Sequence, residues 1–296
     1  MEVGDWRILK FEIWILDFGV WTLPLDPATD INVWRFDASI LLGMLAVVGA
    51  YSYGVIVLRR RGLSGEEIAG RHMFFFALGV LVLFLALASP IDHIGEKYLF
   101  SVHMVQHILI AMVAPPLILL GIPRWMMQSV LDFFRIGSLV KFVTHPVLAF
   151  VAFNVALIAW HLPALYEAAL RYPVVHVVEH TCFIGTGFLS WYPVIDPAGQ
   201  HARFHPLAKV LYLFLFVIPN GVLGAAFSFA PQPIYATYAE APRLWGSTVM
   251  GDQAVAGGIM WVPGWAVYFV ALSIVFAVWM QHEDRAGTEQ ADSSSR

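Results

Sequence analysis

The stretch that decides the fold is Tyr98-Leu-Phe-Ser-Val-His103-Met-Val-Gln-His107-Ile-Leu-Ile-Ala-Met-Val-Ala-Pro115-Pro116-Leu-Ile-Leu-Leu120. It holds no Asp, Glu, Lys or Arg, and apart from Ser101, Gln106 and the two histidines it is apolar. A helix needs roughly 20 apolar residues to cross the hydrocarbon of a bilayer, so this run reads as a membrane span. His103 and His107 stand one helical turn apart, on one face. Imidazoles are costly at membrane depth and normally face a protein interior where they mark a path or a site.

Working outward, six more stretches qualify as spans: about 39–58, 73–89, 143–161, 174–194, 207–230 and 254–280. Breaker pairs separate them: Ser89-Pro90, Gly121-Ile-Pro123, Leu162-Pro163, Asp196-Pro197 and Pro231-Gln-Pro233. The sequence therefore predicts an all-α polytopic membrane bundle of seven transmembrane helices over residues 39–281. Residues 1–38 read as an extracytoplasmic or interfacial segment, and residues 282–296 as a polar, disordered cytoplasmic tail. Of 296 residues 59% are hydrophobic and only 13% charged, against about a quarter charged in soluble domains. The net charge of −4 says little beside the distribution of the charges. One cysteine, Cys182, excludes an internal disulfide or a Cys-x-x-Cys redox pair. No basic nucleic-acid face, phosphate loop or serine nucleophile elbow is present.

Basic residues orient the bundle. With the N-terminus outside, the inner segments hold 11 Lys and Arg and the outer ones 6, and the Arg59–Arg61 run follows the first span. The positive-inside rule then gives N-out and C-in. On that reading His103 and His107, His161, His176 and His180, with Asp92, His93 and Asp252, gather in the outer half of the bundle. His176 and His180 repeat the H-x-x-x-H spacing. A membrane histidine can instead do no more than hydrogen-bond a neighbouring helix, but two matched pairs and a fifth histidine at one depth favour a ligand. Imidazoles suit copper, zinc, iron and nickel. Asp92, Asp252 or Glu179 would add a carboxylate or hold an imidazole N–H. Met104, Met112 and Met250 suit Cu(I) but read first as core filler. Cys182 projects away from His176 and His180. His201 and His205 share the spacing, yet lie in an inner loop and read as structural. Trp34, Trp160, Trp191 and Trp261 read as interfacial anchors. Pro115-Pro116 and Pro219 should kink their helices, and Gly221, Gly224, Gly257 and Gly258 should let helices approach closely.

Ser89-Pro90, Phe100-Ser-Val-His103-Met-Val-Gln106-His107, Ala114-Pro115-Pro116, Trp160-His161-Leu-Pro163, His176-Val-Val-Glu179-His180 and Asp252-Gln253 together resemble the signature of the CtaG-type cytochrome c oxidase assembly factors. The resemblance runs from about Trp34 to Met280. It implies a seven-helix protein of the bacterial inner membrane, and a role in maturing a haem–copper oxidase that does not depend on enzymatic turnover. It further implies copper bound by His103, His107, His161, His176, His180 and Asp252. The partners would be a periplasmic copper donor, membrane lipid and the oxidase subunit that carries the buried copper centre. Two other readings remain at this stage: a bis-histidine haem cytochrome, and a metal transporter.

Overall fold

The computed structural model describes residues 31–58, 60 and 70–294, and among these every regular element is helical. Most of the expected N-terminal segment, residues 1–30, lies outside the described residues. In chain order the helices are α1 (Ala38–Tyr53), α2 (Gly70–Ala88), α3 (Pro90–Lys97), α4 (Phe100–Ile108), α5 (Ala114–Gly121), α6 (Arg124–Phe134), α7 (Gly137–Val143), α8 (Pro146–Trp160), α9 (Pro163–Arg171), α10 (Pro173–Ile195), α11 (Pro206–Ser228), α12 (Ala236–Glu240) and α13 (Val249–Ser294).

Five stretches are long and apolar enough to cross a membrane: Ala38–Ile56, Gly70–Ala88, Phe100–Gly121, Pro206–Ser228 and Val249–Arg285. The other two expected spans exist as helices but depart from the simple form. α8 has 15 residues and meets α7 at a 61° bend. Pro146 opens α8 and disfavours helical backbone at His145, which accounts for the break. α10 has 23 residues, enough to span, but His176, Glu179 and His180 dilute its apolar character. α3, α6, α9 and α12 occupy stretches where breaker residues predict loops.

The surface is apolar and the polar groups are inside. Leu42, Leu45, Val155, Val222 and Val262 stand exposed, while His103, Gln106, His107, Glu179, Asn220 and Asp252 are buried. That inversion is what a lipid surround imposes on a helical bundle. Phe100–Gly121 is the axis, joined from α4 to α5 by a π-helical stretch, Leu109–Val113. Its cause is Pro115: the ring has no N–H for the Ala111 carbonyl four residues back, and the ladder shifts to a wider register. Gly187 of α10 lies against that same carbonyl, where an added Cβ would come within 2.5 Å of the Ala111 oxygen. Gly224 and Gly257 bring α11 and α13 into backbone contact, since a Cβ on Gly257 would sit 2.3 Å from the Gly224 oxygen.

One helix runs further than its expected span, and one expectation is corrected. α13 continues as helix to Ser294, past the expected span end near residue 280. A helix already nucleated over many turns extends cheaply, because each added residue gains a hydrogen bond without a new nucleus. Trp191 is no interfacial anchor: it is buried and stacks on Tyr268 at 5.6 Å.

Candidate metal centre

α4 and α10 both begin at the same end of the bundle and carry their histidines in the first turns. At 1.5 Å per residue, His103 and His176 lie about 5 Å from their helix starts, and His107, Glu179 and His180 about 10 Å. His176, Glu179 and His180 share one face of α10 through i, i+3 and i, i+4 spacing. α3 presses down on α4 at Gly95, where a Cβ would be 2.9 Å from the Cα of His103.

The result is a buried group in which one ligand atom from each of His103, His176, Glu179 and His180 lies within 4.8 Å of all the others. The ring centroids of His176 and His180 are 4.1 Å apart, and those of His103 and His176 5.6 Å. His107 adjoins the group, its ring 4.3 Å from His103 and its Nε2 3.7 Å from Glu179 Oε1. Around a four-coordinate ion with bonds of about 2.0–2.1 Å the ligand atoms stand roughly 3.4 Å apart. Closure by about an ångström would complete such a shell.

The decisive chemistry is what these atoms lack. Glu179 is fully buried, and neither of its carboxylate oxygens has a hydrogen-bond partner in the protein. The same holds for Nε2 of His103, His176 and His180 and for both ring nitrogens of His107. Buried polar atoms are almost always satisfied, and each orphan costs about 1–3 kcal/mol. Several converging orphans, all of them potential lone-pair donors, fit an electrophile placed among them.

Neighbouring groups also set the tautomer of His103. Its Nδ1 is 2.9 Å from Tyr238 Oη, and Tyr238 O–H donates to the Gly95 carbonyl at 2.7 Å. A carbonyl only accepts, so the tyrosine proton is committed there and Tyr238 Oη accepts from His103 Nδ1–H. Nε2 is left with its lone pair towards the cluster. Tyr166 Oη, 2.9 Å from Nδ1 and 3.1 Å from Tyr238 Oη, closes the same network. Orientation of a ligand imidazole through its other nitrogen is the common arrangement at metal sites.

The expected residues divide as follows. The structure brings His103, His176 and His180 together, with His107 beside them, and adds Glu179. His161 lies one step away, its ring 5.7 Å from His107. Asp252 is not in the group: it accepts from the backbone N–H of Phe100 at 2.8 Å and of Ser101 at 3.1 Å, and so caps α4. The first N–H groups of a helix are unpaired and positively polarised, which makes a carboxylate from a neighbouring helix their natural partner. Asp92 is likewise committed, to Arg35 at 3.0 Å and to Gln106 Nε2 at 2.8 Å. Cys182 is free and outside the cluster. Sequence reasoning passed over Tyr238, which has no helical periodicity around it to mark it as buried.

Fold and site define a helical membrane protein with an imidazole–carboxylate cluster buried near one end of the bundle. The chain belongs to the cytochrome c oxidase caa3 assembly factor (Caa3_CtaG) family, whose model matches residues 49–282. It is 26% identical over 302 residues to the uncharacterized protein Mb0105 of Mycobacterium bovis and, to the same degree, to MT0111 of Mycobacterium tuberculosis. That alignment covers 95% of this chain and 44% of the relative. A third relative, ML1998 of Mycobacterium leprae, is 24% identical over 314 residues, 96% of this chain and 46% of that one. The chain thus spans less than half the length of these curated relatives. No solved structure matches it.

Proposed function

We propose that this protein is a copper-binding assembly factor of the bacterial inner membrane. It holds the ion as cargo at His103, His176, Glu179 and His180, with His107 adjoining, and releases it to the copper-bearing subunit of a haem–copper oxidase. The reading rests on one buried group above all: His103, His176, Glu179 and His180 each bring a ligand atom within 4.8 Å of the others, and Nε2 of each histidine and both Glu179 oxygens lack hydrogen-bond partners. Imidazole and carboxylate donors follow the general affinity order that peaks at Cu²⁺, and membership of an oxidase assembly family supports an oxidase as the recipient. On this reading α8 and α10 join the five apolar stretches as spans, the chain runs N-out and C-in, and the cluster lies in the outer leaflet. There a periplasmic copper donor can reach it. The protein relays an ion and carries out no turnover of its own.

The dimensions favour an ion over a macrocycle. The cluster is closed in by Tyr166, Tyr238 and Phe183, and the cavity beside it measures about 20 Å³. That is room for about one water-sized sphere, far below a haem.

The test is copper content and affinity of the purified protein in detergent, beside Glu179→Gln and His180→Ala. Loaded with Cu(II) in the absence of reductant, the wild type should hold about one equivalent, and both variants, each still folded, should lose it. A wild type without copper, or variants that match its stoichiometry and affinity, would overturn the assignment.

A further inference from the structure

Directly below the cluster is the cavity of about 20 Å³, walled by Met104, Met112, Met260, His107, His161 and Asn220 together with aliphatic and aromatic side chains. Three thioethers from α4, the π-helical stretch and α13 border it, and all three methionines are buried. Methionine is the usual filler of irregular core gaps, because it is unbranched and adaptable. Here a gap is left open among the three side chains.

The polar wall has an unusual feature. His161 Nδ1 lies 2.7 Å from the Leu157 carbonyl oxygen. A carbonyl only accepts, so Nδ1 carries the single proton of the neutral ring and Nε2 keeps its lone pair. That Nε2 is 3.5 Å from Met104 Sδ. A thioether sulfur has no proton to give either, so two lone-pair donors face each other with no hydrogen between them. Two more buried groups on the wall have unpartnered atoms: both ring nitrogens of His107 and Oδ1 of Asn220. With bonds of about 2.3 Å to sulfur and 2.0 Å to nitrogen, an N–S pair 3.5 Å apart subtends roughly 110° at an ion. That is close to the tetrahedral angle.

We propose that this pocket is a second metal site, distinct from the His/Glu cluster and selective for a soft monovalent d10 cation, Cu(I) or its surrogate Ag(I). Met104 and His161 are its primary ligands, and Met112 or Met260 completes the shell. Neutral thioether donors select soft monovalent ions, whereas a carboxylate with imidazoles suits a divalent one. The two sites lie in sequence along the bundle axis and share His107 as their common wall. The inference does not depend on which ion, or any ion, occupies the upper cluster.

The experiment uses the full chain in detergent with Cys182→Ala as background, so that its one thiol does not take up silver. Ag(I) is titrated against a competing chelator, its shell is read by X-ray absorption at the silver edge, and Zn(II) binding is measured in parallel. Met104→Leu/Met260→Leu is the pocket variant, chosen because Leu and Met are close in volume and the swap is tolerated in cores. Glu179→Gln is the cluster variant. The proposal expects one Ag(I) with sulfur in its shell, weakened at least tenfold in the pocket variant while Zn(II) affinity moves less than threefold. Glu179→Gln should do the reverse. Silver without a sulfur shell, or with wild-type affinity in the pocket variant, overturns the second site. Silver bound through sulfur with no Zn(II) binding leaves the second site standing and removes the cluster reading.

Discussion

The chain carries three H-x-x-x-H pairs, and only two of them build a site. His103 with His107, and His176 with His180, converge from α4 and α10 with their Nε2 atoms unpartnered. The third pair, His201 and His205, sits between α10 and α11 with its bonding settled. Thr144 O–H donates to the Val140 carbonyl at 2.6 Å, so its oxygen accepts from His201 Nε2–H at 2.8 Å. His205 Nδ1 accepts the Leu207 N–H at 3.3 Å and caps α11. Identical spacing therefore yields opposite chemistry, and what decides is where each proton is committed. In the first pair Tyr238 and Gly95 draw the His103 proton to Nδ1 and free Nε2; in the third pair Thr144 takes it at Nε2.

The comparison is broken most severely by removing a ligand from the converging pairs. Glu179→Gln and His180→Ala should each weaken copper binding a hundredfold or more, about 3 kcal/mol. His201→Ala/His205→Ala should leave it unchanged, and equilibrium dialysis with metal analysis checks both. Equal losses in the two sets would mean that the pairs do not differ as the geometry says.

A finer cut removes the proton acceptor and keeps every ligand. Tyr238→Phe takes away the oxygen that holds His103 Nδ1–H, so the ring loses its orientation and its fixed tautomer. Loss of such a partner typically costs 10–100-fold in metal affinity. Unchanged affinity would show that the tyrosine network does no more than pack. The converse experiment acts on the third pair. Thr144→Val strips the acceptor from His201 Nε2–H and should cost about 1 kcal/mol of stability, read as a lower melting temperature in detergent. It should create no metal site, because among the described residues no set of three or more ligand atoms gathers there.

How legible this was in the sequence differs by feature. The spans stood out because apolar length is a one-dimensional property, and five of the seven expected stretches meet it outright. α10 falls short because it carries His176, Glu179 and His180, so the helix that supplies most of the cluster is the least apolar of the expected spans. The histidines were legible from spacing and depth. The choice among the candidate carboxylates Asp92, Asp252 and Glu179 was not: Asp252 sits at the right end of the bundle, but only the packing of α13 on α4 reveals that it caps Phe100 and Ser101. Glu179 had a usable signal, its i, i+3 relation to His176, which places it on the ligand face. Among the methionines the sequence suggested Met104, Met112 and Met250. Met104 and Met112 border the pocket, while Met250 is exposed and Met260 stands in its place. Which turn of α13 faces the axis depends on the Gly224–Gly257 contact, a fact of packing and not of hydropathy.

The smallest expected effect concerns pH and again separates the third pair from the others. Burial pushes the pKa of His201 below the usual 6.5, with Asp196 drawing it partly back and Lys141, His145 and Lys209 pushing it further down. The folded protein therefore resists protonating His201, whose Nε2–H already serves Thr144, while the unfolded chain takes up the proton near 6.5. Stability from this residue is complete above that pH and is lost as pH falls from about 6.5 towards the depressed folded value. His201→Gln removes the titration. In metal-free protein the melting temperature of the variant should thus fall less steeply between pH 7.5 and 5 than that of the wild type. The difference is bounded by one proton, at most about 1.4 kcal/mol per pH unit. Parallel curves would mean that His201 titrates alike in both states, and that its bond to Thr144 does not govern its protonation.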